Sequence, residues 1–421
     1  MPRPLTTTDT ALNRKHLLPL TQRYTGPFWA YDAEVILQQI EKLRDFDVIR
    51  FAQKACSNIH ILRLMRTAGV RVDSVSLGEI ERALVAGYQA EGDEIVFTAD
   101  VLDIPVLQRI AELKIAVNAG SIDMLHQLAE VSPGHRVWLR INPGFGHGHS
   151  QKTNTGGENS KHGIWYQDLE EALRVIAEKG LTLAGLHMHI GSGVDYQHLQ
   201  QVCDAMVAQV IDSGADVHAI SAGGGLSIPY HYGEEEIDTR HYYSLWNRAR
   251  QQIAEHLGHP VTLEIEPGRF LVAQSGVLVS QVRAVKDMGS RHFVLVDAGF
   301  SDLMRPAMYG SYHEISLMSA AERQTDEDPL VPTVVAGPLC ESGDVFTQKE
   351  GGTVDPRPLP AAQVGDYLVF HDTGAYGATM SSCYNSRPMI PEVLFEQGVP
   401  REIRRAQTFS ELLAAELDAG Q

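Results

Sequence analysis

One lysine, one glutamate, a glycine run and an arginine stand where apolar stretches of this sequence end. Together these residue types describe covalent carbonyl chemistry beside a bound anion. Lys54 follows "FDVIRFA", whose Val48, Ile49, Phe51 and Ala52 read as core. A charge there is costly unless something uses it, and a lysine in an apolar wall can lose its proton and attack a carbonyl. "SAGGGLS" places three glycines in a row, and without Cβ atoms their N–H groups can approach an anion closely. Such a run alone is often only a tight turn. "EPGR" adds Gly268 and Arg269, a side chain able to grip phosphate or carboxylate bidentately, and "HIGSG" adds Ser192. Glu266 remains beside this anion site, with pairing to Arg269 as its plain alternative. A phosphate site, a lysine and a carboxylate describe a pyridoxal phosphate pocket: the lysine forms a Schiff base and the carboxylate pairs with the pyridinium nitrogen.

"HMHIG" requires a separate reading. His187 and His189 share one strand face, as zinc ligands can in barrel hydrolases. In those enzymes the motif opens the first strand; here it falls on the sixth, and a third ligand such as Asp73 would have to come from elsewhere. The preferred reading stacks His189 on a planar ring and leaves His187 as a hydrogen-bonded core histidine, with no metal.

The elements that must position these groups are legible as a rhythm. From about residue 46 to 268, eight strand-like runs ("DVIRFAQK", "VRVDSVS", "EIVFTA", "KIAVNA", "RVWLRINP", "LAGLHMHIG", "VHAISAGG", "VTLEIEPG") alternate with helical patterns. Ser121 and Asp168 are candidate N-caps, and Gly69, Gly87 and Gly180 candidate helix stops. Eight such units predict a parallel (β/α)8 barrel, with an open doubly wound sheet as the alternative. The strand ends carry Lys54, Asp73, Thr98, Asn118, Arg140, His189, the glycines 223–225 and Glu266, which a barrel brings to one mouth.

After residue 270 the pattern becomes mostly β: "VLVSQVRAVKDM", "RHFVLVDAG", "DYLVFHD" and "PEVLF", with "SELLAAELDAG" as a late helix. "RQTDEDPLVP" and "EGGTVDPRPLPAAQ" read as exposed loops. The expected organisation is an N-terminal segment (1–30) joining the β domain, a barrel (31–270) and a C-terminal β domain (271–421). The polar, glycine-rich segment 144–163 follows a strand's C-terminal end, where long loops are usually functional.

A formal net charge of −18 argues against nonspecific attraction to nucleic acid or anionic membrane. No run approaches a membrane span, and the polar, proline-interrupted N-terminus is not a signal peptide. The four cysteines (Cys56, Cys203, Cys340, Cys383) are scattered, which suggests reduced thiols and a cytoplasmic protein.

"FAQKACSN", "HMHIGSG", "SAGGGLS", "EPGRF", "MRPAMYGSYH", "GPLCESGDVF" and "DTGAYGATMSSCYNSRP" occur in order along nearly the whole chain. In these the sequence resembles the pyridoxal-phosphate-dependent diaminopimelate decarboxylases, of the alanine-racemase-like fold type III. The resemblance implies conversion of meso-2,6-diaminopimelate to L-lysine and CO2 through a Schiff base on Lys54; a related decarboxylase of another diamino acid or a carboxylated polyamine is the alternative. It implies that His189 stacks on the cofactor ring, that Ser192, Gly225, Gly268 and Arg269 surround its phosphate, and that Glu266 meets its nitrogen. Arg269, Arg305, Tyr309, Glu341 and Tyr376 would form the substrate pocket, with Tyr376 also touching the cofactor. Cys340 would be the proton donor, reaching the partner's pocket in a head-to-tail homodimer. The 144–163 segment, ending in "SKHG", matches the family's active-site loop, with His162 where relatives often carry an aromatic residue.

Two of these implications have a physical basis. A free thiol titrates at roughly 8.5 and is mostly protonated at neutral pH. Glu341 and Asp344, if close to Cys340, would raise that value and favour a thiol that gives a proton. The distal end of the substrate needs a cation for its carboxylate and an anion for its ammonium, which Arg305 with Tyr309 and Glu341 can supply.

Overall fold

A computed structural model of the 421-residue chain describes residues 5, 10–146, 155–189, 191, 195–321 and 328–417. It divides into two compact units. One comprises Gln39–Ser227 with Ile237–Leu271; the other comprises Met1–Gln38, Ile228–Glu236 and Val272–Gln421.

The first unit is a closed parallel barrel. Its strands are Val48–Ala52, Arg71–Ser74, Ile95–Ala99, Ala116–Ala119, Arg136–Asn142, Thr182–His187, Ala219–Ser221 and Thr262–Ile265. Each pairs in parallel with the next, and the last returns to the first through Glu264↔Val48 and Ile265↔Ile49. Closure, and not an open sheet, therefore follows the eight apolar runs. Both faces of such strands are covered, so the runs are continuous and not alternating; Val72, Ile95, Val117, Val137 and Leu263 are all fully buried. A charge pair is sealed among them: Arg50 Nε and Nη2 donate to Glu264 Oε2 at 3.2 and 3.0 Å, and Nη1 donates to the Asp93 carbonyl at 2.9 Å.

Helices fill the crossovers. Gly87 (φ +104°) and Gly180 (φ +68°) end theirs in the left-handed region, and Gly69 (φ +76°) follows the C-cap Ala68. Ser121 and Asp168 hold the predicted N-cap positions, but neither side chain caps its helix. Ser121 Oγ donates instead to the Asp100 carbonyl at 3.2 Å.

The second unit is a mixed sheet. Strand Phe28–Asp32 is antiparallel to Gly276–Met288 and parallel to Glu392–Glu396, with Ala30 opposite both Val277 and Val393. Leu17, Leu20, Phe28, Val279, Val369 and Phe395 close over it as one core. Two segments expected as exposed loops prove partly sheet. Leu330–Ala336 and Arg357–Pro360 pair antiparallel, with Pro332 opposite Pro358, while residues 323–327 lie outside the described residues. Arg357–Pro360 is an edge strand, and Pro332 precedes the Thr333 position where pairing with His292 begins, so the missing N–H groups break no interior ladder. Among the described residues no helix is long and apolar enough to cross a membrane.

Candidate active site

The barrel rim collects the polar strand ends. Thr98 Oγ1 donates to Asp73 Oδ1 at 2.6 Å, and Asn118 Nδ2 donates to Thr98 Oγ1 at 3.4 Å across adjacent strands. Burial pushes the Asp73 carboxyl up to about 8, and the charge of Glu266 adds to the rise; the Thr98 hydrogen bond and Lys54 oppose it.

Lys54 is not embedded in an apolar wall as expected. The first strand stops at Ala52, and Lys54 rides one 3-10 turn, Gln53–Ala55, with its side chain exposed between buried Gln53 and Ala55. The turn is anchored by Gln53 Nε2, which donates to Ser74 Oγ at 2.6 Å and to the Glu79 carbonyl at 3.0 Å. It lifts the amine off the wall and presents it at the rim.

Glu266, one residue past the last strand, is buried. His187 Nε2 donates to its Oε2 at 2.7 Å and Ser221 Oγ to its Oε1 at 3.3 Å. These two donors, and not Arg269, take its oxygens. Burial alone would raise the carboxyl, but His187, Arg50 and Arg140 outweigh it and hold it below the ordinary range, so Glu266 is anionic at neutral pH. His187 is thus the hydrogen-bonded core histidine. Arg140, itself buried, is driven down by burial against the charges of Asp100, Glu266 and Asp73.

His189 takes a different partner. The Gly224 N–H donates to its Nδ1 at 3.1 Å, which requires an unprotonated Nδ1 and puts the ring hydrogen on Nε2. Burial first, then Arg140, Lys54 and His187, drive its pKa well below the ordinary value, so the imidazole is neutral. The two histidines therefore serve separate acceptor and donor roles. The glycine run is a close-approach site: a Cβ on Gly224 would stand 2.6 Å from the Glu266 carbonyl oxygen, and Gly225 needs φ +103°. Gly268 lies against Ala52 and Ala55, where an added Cβ would meet both Cβ atoms at 3.3 Å. Arg269 opens the short helix Arg269–Val272. Ser192 lies outside the described residues.

These groups fit pyridoxal phosphate. Three glycines form a cradle that any side chain would fill, a neutral imidazole stands against them, an anionic carboxylate is buried nearby, and a lysine is presented at the rim.

The segment 144–163 is tied at both stems, with residues 147–154 outside the described residues. Asn142 Oδ1 accepts from the N–H groups of Gly144 and Gly157 at 3.1 and 2.9 Å. His162 Nδ1 lies 2.6 Å from Asp100 Oδ2, and the Gly163 N–H donates to Asp100 Oδ1 at 3.0 Å. Asp100 was absent from the sequence reading; its signal is its place directly after strand Ile95–Ala99.

The second unit carries the remaining candidates. Arg305 opens helix Arg305–Tyr309 and is buried; its Nε donates to His313 Nε2 at 3.3 Å and its Nη2 to Ser311 Oγ at 3.2 Å. Its Cζ stands 5.9 Å from the Tyr376 ring centroid. Tyr376 has φ +58°, a strained setting for a non-glycine residue and of the kind concentrated at functional sites. Tyr309 is half-buried at the end of the helix. Cys340 and Glu341 are exposed, and the Cys340 N–H donates to Asn385 Oδ1 at 3.0 Å. Asp344, expected to bear on the thiol, spends its carboxylate otherwise: Oδ1 accepts from Phe300 N–H at 2.7 Å and Oδ2 from Leu339 N–H at 2.8 Å. It shapes the loop that carries Cys340.

Comparison with known proteins places these features in a family. Residues 33–273 match the family described as "Pyridoxal-dependent decarboxylase, pyridoxal binding domain". The chain is 71% identical over 419 residues to the diaminopimelate decarboxylase of Escherichia coli K12, covering 99% of this chain and 100% of that protein. It is 63% identical to that of Streptomyces coelicolor, covering 97% and 93%. A crystal structure of a diaminopimelate decarboxylase superposes with a TM-score of 0.97 at 70% identity, covering 99% of each chain. The Helicobacter pylori enzyme, solved in complex with L-lysine, superposes with a TM-score of 0.82 at 31% identity, covering 95% of this chain and 99% of that one.

Proposed function

The chain belongs to the diaminopimelate decarboxylases, within the pyridoxal-dependent decarboxylases, and from that premise we propose how its residues and assembly carry the reaction. Its activity is pyridoxal-phosphate-dependent decarboxylation of diaminopimelate, leaving lysine and CO2. Bound pyridoxal phosphate supplies an electron-withdrawing ring that accepts the electron pair of the broken carbon–carbon bond. The chain's own residues hold that group, select the substrate and handle the protons.

Lys54 holds the cofactor covalently and His189 covers its ring. Ser192, Gly225, Gly268 and Arg269 take its phosphate. Glu266 keeps a proton on the ring nitrogen, and this role rests on the observation that carries the whole reading: a fully engaged, anionic carboxylate buried at the barrel rim. Arg305 and Tyr309 bind the distal carboxylate and Glu341 the distal ammonium of the meso isomer, while Arg269 and Tyr376 line the pocket. Substrates without a distal carboxylate forgo the charge-assisted hydrogen bonds that Arg305 offers it. Cys340 gives a proton to the carbon that CO2 has left, so that the product is L-lysine.

Cys340 and Glu341 are exposed on the single chain, which supports a head-to-tail homodimer in which they serve the partner's barrel. The four free thiols fit a cytoplasmic enzyme.

Borohydride reduction of the holoenzyme, followed by mass mapping, should put the label on the peptide containing Lys54; a label on any other peptide overturns the assignment. Measured CO2 release should favour meso-diaminopimelate over lysine, ornithine and carboxylated polyamines. Mixing Lys54→Ala with Cys340→Ala protein should restore activity if active sites are shared across a dimer; two inactive variants that stay inactive together exclude the sharing.

A further inference from the structure

The loop that carries Cys340 is held from within as far as Leu339 and from outside at Cys340. The Gly337 N–H donates to the Asp344 carbonyl at 2.9 Å, and the Asp344 N–H to the Glu341 carbonyl at 3.1 Å. Asp344 Oδ2 takes the Leu339 N–H at 2.8 Å, one residue short of the cysteine. The Cys340 N–H turns to a segment 45 residues further on and donates to Asn385 Oδ1 at 3.0 Å. Of the two ends of the amide only the oxygen can accept, so this bond also fixes which way the Asn385 side chain faces.

The Asn385 segment is anchored in turn. The Ser382 N–H donates to the Ser301 carbonyl at 2.8 Å, Ser381 Oγ to the Asp302 carbonyl at 3.0 Å, and Arg387 Nη2 to the Asp297 carbonyl at 2.8 Å. The Tyr384 ring stacks on Phe300, with centroids 5.4 Å apart at 27°. Phe300 therefore braces both segments: its ring meets Tyr384, next to Asn385, and its N–H donates to Asp344 Oδ1 at 2.7 Å in the cysteine loop. The bond from Cys340 to Asn385 closes that circuit. The backbone at Asn385 is left-handed, with φ +54° and ψ +26°, and Ser386 follows at φ +55°. Asparagine tolerates this conformation better than most residues, which gives its presence a plain backbone explanation. Glycine would satisfy that requirement better still. Asn385 is exposed, so what its side chain adds is the oxygen and not buried packing.

We infer that Asn385 is a positioning residue for the proton donor: its amide oxygen fixes the Cys340 backbone, and with it the direction in which the thiol leaves the loop. This rests on the proposed role of Cys340 as that donor. Asn385 acts through Cys340, on proton delivery and not on substrate binding. The thiol needs such help because Cys340 is exposed, and a misplacement of about 1 Å in a reacting group can cost on the order of 100-fold in rate.

The test is steady-state kinetics of the holoenzyme on meso-diaminopimelate. Asn385→Gly keeps the left-handed backbone and removes only the acceptor. It should lower kcat about 10-fold with KM little changed, less than the loss of the thiol itself, because the donor is still present. Asn385→Asp keeps both the backbone preference and the oxygen, and should recover most of that kcat. Ser386→Gly relaxes the neighbouring left-handed residue without touching the acceptor and should leave kcat unaltered. In a Cys340→Ala background, Asn385→Gly should cost nothing further, since the group it positions is gone; a merely structural role predicts the same proportional loss with or without the thiol. An unchanged kcat in Asn385→Gly, no recovery in Asn385→Asp, an equal loss in Ser386→Gly, or an undiminished further loss in the Cys340→Ala background would each overturn the inference while leaving the proton-donor role of Cys340 intact. If Cys340→Ala by itself leaves kcat unchanged, that role fails first and this inference falls with it.

Discussion

His187 Nε2 stands 2.7 Å from Glu266 Oε2, with both side chains buried on neighbouring parts of the barrel rim. The pair explains how a carboxylate can stay charged where burial alone would protonate it. Burial raises its pKa, and the hydrogen bond and charge of His187, followed by Arg50 and Arg140, more than reverse that rise.

Replacing His187 with Leu should therefore let burial reassert itself and raise the Glu266 carboxyl. If anionic Glu266 is needed for turnover, the acid limb of the kcat–pH profile moves to higher pH. A profile from about pH 5 to pH 8 that superposes on the wild type would contradict this.

Asp73 carries the opposite sign. Burial and the charge of Glu266 raise its pKa to about 8. Between the ordinary carboxylate value and about 8, the folded state holds a proton that the unfolded chain has released. Stability from this group is thus full at low pH and declines as pH rises through that window, by at most roughly 1.4 kcal/mol per unit. Asp73→Asn keeps an oxygen for Thr98 and removes the titration. Its urea midpoint should gain on the wild type from about pH 5 to pH 8, and a constant difference would exclude Asp73 as the source.

The Arg50–Glu264 pair has side chains exposed by only 1% and 6%. Glu264→Ala leaves a buried guanidinium uncompensated and should cost about 3–5 kcal/mol in chemical denaturation. A paired apolar replacement, Arg50→Met with Glu264→Leu, should cost less than the single change. If the double variant is the less stable of the two, the charge pair does more than satisfy itself.

Cys340→Ala should lower kcat roughly 10²–10⁴-fold while the absorbance of bound cofactor persists, as expected when a proton donor is lost without loss of binding. Cys203→Ala, in a helix of the barrel unit, should leave kcat unaltered. Equal effects of the two substitutions would remove the special role of Cys340.

Much of the site could be read from residue types because a parallel barrel brings every strand's C-terminal end to one rim. Lys54, Asp73, Thr98, Asn118, Arg140, His189 and Glu266 stand out in the sequence as polar interruptions of apolar runs, and each lies in or just past the C-terminal part of a barrel strand. Partners were not legible. Glu266 looked equally suited to Arg269, yet His187 and Ser221 take its oxygens. The Lys54 environment was misjudged because one turn, Gln53–Ala55, separates it from the strand. Strand Phe28–Asp32 carries no alternation, all five residues being buried, and it is a strand because Gly276–Met288 and Glu392–Glu396 flank it.

By itself the sequence determined the barrel, through the period of its apolar runs, and the chemistry available at its rim, through the polar residues that end them. Only the tertiary structure decided which histidine serves Glu266 and which receives Gly224, and that burial raises the Asp73 carboxyl. The physical reason is range. Periodicity is a property of neighbouring residues, whereas charge state and hydrogen-bond direction depend on burial and on partners brought together from distant parts of the chain.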